Sequence, residues 1–203
     1  MNFLAHGMLA IEQLHCPIGA LASMAEDLAP LAGLQLQRDG AGPALRRGLA
    51  HHRRVDAAFH DAAAFKAANR VVAAALRDAG EDRWAAVAIA HVAVELLIDG
   101  SIPAPQTAAL WDAVLDPAAV RFAGSLFAAS DVPRWELIAE QWRAAGPPPY
   151  GSVAEVARRS VGAVSRRGRL RAVLAHQEVA ALLDTLHTQA PPWPIWRRAM
   201  SGV

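Results

Sequence analysis

Two stretches of this chain place imidazole and carboxylate groups at helical spacing. In the segment HHRRVDAAFHD, His52, Asp56 and His60 stand at i, i+4 and i+8. An α-helix makes one turn in about 3.6 residues, so this spacing gathers the three groups on one gently drifting face, flanked by His51 and Asp61. Imidazole and carboxylate together suit a divalent transition metal, and an open coordination position would hold an activated water. The bland alternative is an exposed helix with a local His-Asp pair and with Arg53 and Arg54 in solvent.

His91, Glu95 and Asp99 repeat the same spacing in the segment from Trp84 to Asp99, where every neighbour of His91 and Glu95 is apolar. A helix that is hydrophobic almost all round is normally buried, and a carboxylate buried without a partner costs several kcal/mol or gives up its charge. Glu95 therefore needs a cation. An arginine would serve, but a metal held between this helix and the one carrying His52 would satisfy both stripes at once. The shared-site reading expects His52 or Asp56 close to His91 or Glu95. His6, inside the apolar run Phe3 to Leu9, poses the same question for the first helix, with a satisfied core histidine as the alternative. His15, His176 and His187 lie at element ends or on mixed faces and take no role.

Other chemistries are excluded by motif. There is no Gly-rich phosphate loop, no G-x-S-x-G elbow and no H-E-x-x-H, which removes P-loop enzymes, α/β-hydrolases and the common zinc proteases. Tryptophans 84, 111, 135, 142, 193 and 196 are scattered rather than interleaved with basic residues, so they read as packing and not as a base-stacking platform. One cysteine, Cys16, can form neither an intramolecular disulfide nor a Cys-based zinc site, and a reducing cytoplasm is the expected setting.

The elements that must position these groups are helices. Alanine and leucine fill the periodic segments and strand alternation is nearly absent, so the spacing predicts an all-α fold. Helices are expected at about 2–13, 18–35, 43–60, 62–79, 82–99, 105–115, 117–129, 132–145, 151–166 and 168–189, with a short one near 193–200. Breaks fall at Asp39–Pro43, Gly80–Asp82, Pro103–Pro105 and Gly146–Pro149, and Asp131 before Val132-Pro133 reads as an N-cap. With 203 residues, 54% of them hydrophobic and 19% charged, the chain can bury a full-sized core, and residues 1–203 read as one domain. The Pro147–Pro149 run is the one candidate linker. The N-terminus has no basic n-region and reads as a mature helix, and no apolar run is long enough to predict a membrane span.

The formal net charge of +1 hides an asymmetry. Residues 1–150 carry 12 basic and 16 acidic side chains, whereas 151–203 carry 8 arginines against Glu155, Glu178 and Asp184. A basic tail on a balanced chain suits an acidic partner or a phosphorylated substrate rather than nucleic acid, which calls for a strongly basic domain. A solvated arginine face is the competing reading.

Several segments, taken in order, resemble a known family. Met-Asn-Phe-Leu-Ala-His6, Gly48 to Asp56, Glu140-Gln141-Trp142, Tyr150, and Gly162 to Leu170 with its Ser165-Arg166-Arg167-Gly168-Arg169-Leu170 motif look like the bacterial acyl carrier protein phosphodiesterases. The resemblance spans residue 1 to about 170, and its opening hexapeptide and H-R-R-V-D segment are the more specific parts. It implies an all-α, HD-domain-like bundle of about nine to eleven helices. It also implies a hydrolase of fatty acid metabolism that uses a divalent metal, manganese foremost and magnesium, iron or zinc otherwise, to remove 4′-phosphopantetheine from a serine of acyl carrier protein.

Two departures from the family pattern stand out. Where the family has an aspartate a few residues after the glycine matching Gly19, this chain has Ala20 to Met24, and the nearest acids are Glu26 and Asp27. Where the family has a mid-chain Asp-His pair, this chain has Glu95-Leu96. With the resemblance added, His52, Asp56, His91 and Glu95 are the first-rank metal ligands and His6, Asp27 and His60 the second. His52, Asp56 and Glu95 are the expected catalytic residues. Arg53, Arg54, Arg166, Arg167 and Arg169 are expected to hold phosphate or an acidic carrier protein, with no nucleic acid and no membrane as partner. The alternatives are another phosphoester, such as a nucleotide or phospholipid head group, or a family member that only binds a partner.

Overall fold

The computed structural model describes residues 3–166, 170–187 and 192–200, and among them every regular element is helical. The chain is all-α. Its helices are α1 (Phe3–Leu14), α2 (Pro17–Leu31), α3 (Pro43–Asp61), α4 (Ala63–Asp78), α5 (Arg83–Gly100), α6 (Ala104–Val114), α7 (Pro117–Ala123), α8 (Val132–Ala145), α9 (Val153–Ser165), α10 (His176–Leu186) and α11 (Trp193–Met200). A 3-10 turn, Gly124–Leu126, follows α7. No single helix among the described residues is long and apolar enough to cross a membrane.

The chain divides into two compact units, each assembled from separated segments, and one of the divisions falls within the proline run, between Pro148 and Pro149. The first unit takes Phe59–Ser101 and Pro149–Trp196. Here α5 packs on α4 and α9, α9 on α10, and α10 back on α4, closing a ring of four helices. Alanine, valine and isoleucine bury α5 on nearly every side, which is why a sequence rich in β-branched residues stays helical there. Its start is fixed by Asp82, whose carboxylate accepts from the Trp84 and Ala85 amides at 2.9 and 3.1 Å. At its other end Gly100 lies so close to the Tyr150 carbonyl that a Cβ has no room.

The second unit takes Asn2–Ala58, Ile102–Pro148 and Arg197–Val203. In it α1 packs on α2 and α6, α2 on α6 and α7, and α7 on α8. Trp135, fully buried, donates its indole N–H to the Val120 carbonyl at 3.0 Å, and Trp111 donates to Trp142 at 2.9 Å. Gly48 of α3 touches the Gly19 backbone and Ala22 of α2 with no space for a side chain, so these two helices meet at backbone contact one turn before His52.

Four ends differ from expectation. Helix α7 stops at Ala123, not 129, because the chain tightens into the 3-10 turn Gly124–Leu126 and Phe127 is extended. Helix α2 stops at Leu31, not 35, because Gly33 takes φ +66° and the Leu34 amide donates back to the Ala29 carbonyl at 2.9 Å. Asp131 does precede α8, yet its side chain makes no cap hydrogen bond. Helix α10 begins at His176 and not 168. The buried Glu81 carboxylate accepts from the Val173 and Leu174 amides at 2.9–3.1 Å, and Glu178 accepts from Ala175 at 2.8 Å. Those amides are thereby taken from any upstream helical carbonyl.

Candidate metal centre

Helix α1 opens with eight consecutive buried residues, Phe3 to Ala10, so His6 at its middle is 1% exposed. Neither ring nitrogen of His6 has a hydrogen-bond partner. Opposite it stands His52 from α3, 8% exposed, with ring centroids 4.2 Å apart. His52 Nδ1 is likewise buried without a hydrogen bond and faces Asp27 Oδ2 of α2 at 4.0 Å, a fourth buried atom without one. One turn beyond His52, Asp56 Oδ1 lies 3.8 Å from His6 Nε2. Single donor atoms of His6, His52 and Asp56 all lie within 4.8 Å of one another.

A buried polar atom without a hydrogen bond costs about 1–3 kcal/mol, and this corner of the second unit has four of them on two imidazoles and one carboxylate. Packing alone gives no reason to assemble such a set. A divalent cation would satisfy one nitrogen of each imidazole and the carboxylates together, and the donor chemistry fits one. Burial lowers the His52 pKa first and His6 adds to that, with Asp27 and Asp56 opposing, so the lone pair that a metal requires is present at neutral pH. Of the two acids that the sequence offered near Gly19, Asp27 is the one turned to the histidines. Glu26 instead binds Arg38, through Arg38 Nη2 at 2.7 Å.

His51, beside the stripe, has a structural task that the sequence did not disclose. It is fully buried, its Nδ1 is 3.1 Å from Ser23 Oγ and its Nε2 is 3.1 Å from Gln13 Oε1. An amide oxygen only accepts, so Nε2 carries the proton and Ser23 donates its hydroxyl to Nδ1. Burial above all, with Arg54, His6 and His52 adding to it, pushes the imidazole down to about 4, so it is neutral. This bond pair ties α1, α2 and α3 together next to the candidate ligands. Its only advance signal was Ser23, the one hydroxyl in the apolar run from Ala20 to Ala25.

Among the described residues the candidate ligands form two groups, one in each unit. His60, third member of the first stripe, groups with His91 and Glu95 in the first unit. Glu95 Oε1 lies 3.2 Å from His91 Nε2 and 3.5 Å from His60 Nε2. Burial pushes the Glu95 carboxyl up, but the His91 hydrogen bond and nearby positive charge outweigh it and hold the group down to about 2. Asp99 is buried elsewhere on α5, and its charge helps to raise the pKa of Tyr150, for which burial is the main cause. Asp61 is exposed and pairs with Lys66 at 2.9 Å.

Arg53 and Arg54 are exposed on α3, within the helical turn between His52 and Asp56. Arg166 is exposed where α9 ends, and Arg171 is exposed beyond it. Arg167 and Arg169 lie outside the described residues. No protein-family model, curated protein or solved structure matches the chain.

Proposed function

We propose that this protein is a metal-dependent phosphodiester hydrolase with an HD-domain-like fold, acting on the 4′-phosphopantetheine arm of an acidic carrier protein. The observation that carries the reading is the cluster of buried, unbonded ring nitrogens on His6 and His52 facing Asp27 and Asp56; His6, His52 and Asp56 belong to the segments resembling acyl carrier protein phosphodiesterases, and Asp27 lies where the chain departs from them. His6, His52, Asp27 and Asp56 would hold the ion, with manganese the first candidate. A bound divalent cation supplies positive charge to the phosphate oxygens and acidifies a nearby water.

The rest falls to the chain. Hydrolysis forms a bond from water oxygen to phosphorus and breaks the bond from phosphorus to the serine oxygen, which ends with a proton. Asp56, whose side chain is 40% exposed, is the one member of the group open enough to meet substrate and take a proton from water. His6 and His52 are buried, which keeps them from substrate and leaves them to hold the ion. Arg53, three residues before Asp56 on α3, shares its side of the helix, Arg54 is exposed nearby in sequence, and their planar donors suit the phosphate. The exposed arginines around Arg166 would meet the acidic surface of the carrier.

The test is incubation of manganese-loaded protein with phosphopantetheinylated carrier protein, followed by the mass of the carrier. Wild type should release the arm, and His52→Ala and Asp56→Ala should reduce release to background while keeping the helical circular dichroism. Cleavage of a generic phosphodiester without cleavage of the carrier would replace the substrate. Absence of bound metal after incubation with manganese would overturn the hydrolase reading altogether.

A further inference from the structure

We infer that the first unit holds a metal site of its own, in which His60 Nε2, His91 Nε2 and the Glu95 carboxylate bind a divalent ion of the zinc class. This inference does not rest on the hydrolase reading, because none of its residues belongs to the His6 group.

The distances have the right size. Zinc sits about 2.0–2.2 Å from imidazole nitrogen and carboxylate oxygen in a tetrahedral shell, which places neighbouring ligand atoms about 3.3 Å apart. Glu95 Oε1 is 3.2 Å from one imidazole nitrogen and 3.5 Å from the other. Two histidines and one glutamate form a donor set that zinc accepts while keeping a further position for water or ligand.

Burial is graded in the same sense. Glu95 is 2% exposed, whereas the side chains of His60 and His91 are 30% and 42% exposed. The carboxylate forms the floor and the imidazoles the rim, so an ion bound there would have its remaining position toward solvent.

The imidazoles are also held as a pair. Their rings stack at 4.8 Å with planes 15° apart. Phe65 meets both edge-on, at 5.0 Å from His60 and 5.3 Å from His91, and Phe59 meets His60 edge-on at 5.3 Å. These walls keep the two imidazoles side by side, and because a ring nitrogen's lone pair lies in the ring plane, one ring would turn about its χ2 bond to bring both lone pairs onto one ion. Two imidazole nitrogens converge on the same Glu95 oxygen.

The experiment uses the full chain, stripped with chelator, titrated with zinc and dialysed, with metal counted by plasma mass spectrometry. Cobalt in place of zinc reports coordination through its visible absorption. If both centres bind, wild type should hold two ions, the His6→Gln/His52→Gln protein one, and the His91→Gln/Glu95→Gln protein one. If the His6 group binds none, wild type should hold a single ion that His91→Gln/Glu95→Gln abolishes, so the two proposals fail separately. His91→Ala, at a half-exposed side chain, guards against loss of folding and should weaken zinc binding by more than about tenfold. Nitrogen NMR of the histidine rings should show His60 and His91 shifting together on zinc addition. Unchanged zinc stoichiometry and affinity in the His91 and Glu95 variants, or unmoved ring signals, would overturn the site and leave Glu95 as a hydrogen-bond acceptor for two imidazoles.

Discussion

His6 carries two buried ring nitrogens without hydrogen bonds, and this has opposite consequences for the metal-free and the metal-loaded protein. Without a cation the nitrogens cost stability, so a side chain of similar size and no polar atoms is tolerated or preferred. A cation takes one of them, binds only the folded state and so stabilises it. His6→Leu should therefore leave the metal-free protein as stable as wild type or stabler by about 1 kcal/mol, and should reduce the rise in melting temperature that manganese gives. Thermal melts with chelator and with manganese check both halves, and a chelated variant destabilised by more than about 2 kcal/mol would mean that His6 already has its partners. At this scale the sequence was legible in part. His52 and Asp56 share a face as their spacing predicts, and both contribute to the His6 group. His60 does not, because eight residues of helix turn the side chain about 80° past its starting direction and advance it about 12 Å. A stripe at i, i+4 and i+8 is one site over its first interval and need not be over its second.

Helices were the most legible feature, because alanine-rich periodic segments between glycine and proline breaks admit few alternatives. Where an end was misread, a partner distant in sequence had taken the backbone. Glu81 shows this most plainly: a glutamate in a Gly-Glu-Asp turn reads as a solvated loop residue, yet it is buried and receives the amides of Asp82, Val173 and Leu174. No local pattern encodes a contact across 92 residues. Charged acceptors on amides are worth about 1.5–3 kcal/mol each, but the exposed Val173 can regain water, so the loss from Glu81→Ala should be about 2–4 kcal/mol in total. Denaturant unfolding gives the sum. Amide exchange locates it, with faster exchange expected at Val173 and Leu174, and a change below about 0.5 kcal/mol would show that water replaces the carboxylate without cost.

Across the whole chain, the basic excess beyond residue 150 is smaller than the count of arginines suggests. Arg158 and Arg159 both bind Glu155 at 2.6 Å, and Arg158 first, then Arg159, hold that carboxyl down to about 2 against the opposing effect of its partial burial. It therefore stays ionised across physiological pH. Arg197 is taken by Glu12 at 2.9 Å. What remains for a partner is Arg166 and Arg171, exposed beyond the end of α9, together with the intervening Arg167 and Arg169 of the sequence. Four like charges within six residues repel one another unless an anion compensates, and exposed charges are screened within about 8 Å at physiological ionic strength. On the proposed reading, an acidic carrier protein is that anion, and its association rate should fall steeply as salt is raised. Charge reversal at Arg166 and Arg169 should slow association and flatten the salt dependence, while hydrolysis of a small generic phosphodiester stays at the wild-type rate, since rim charges act on encounter rather than on chemistry. Stopped-flow binding over a salt series, beside the small-substrate assay, separates the outcomes. A parallel fall in both activities would place these arginines in the catalytic site, and no change in either would make them a solvated face.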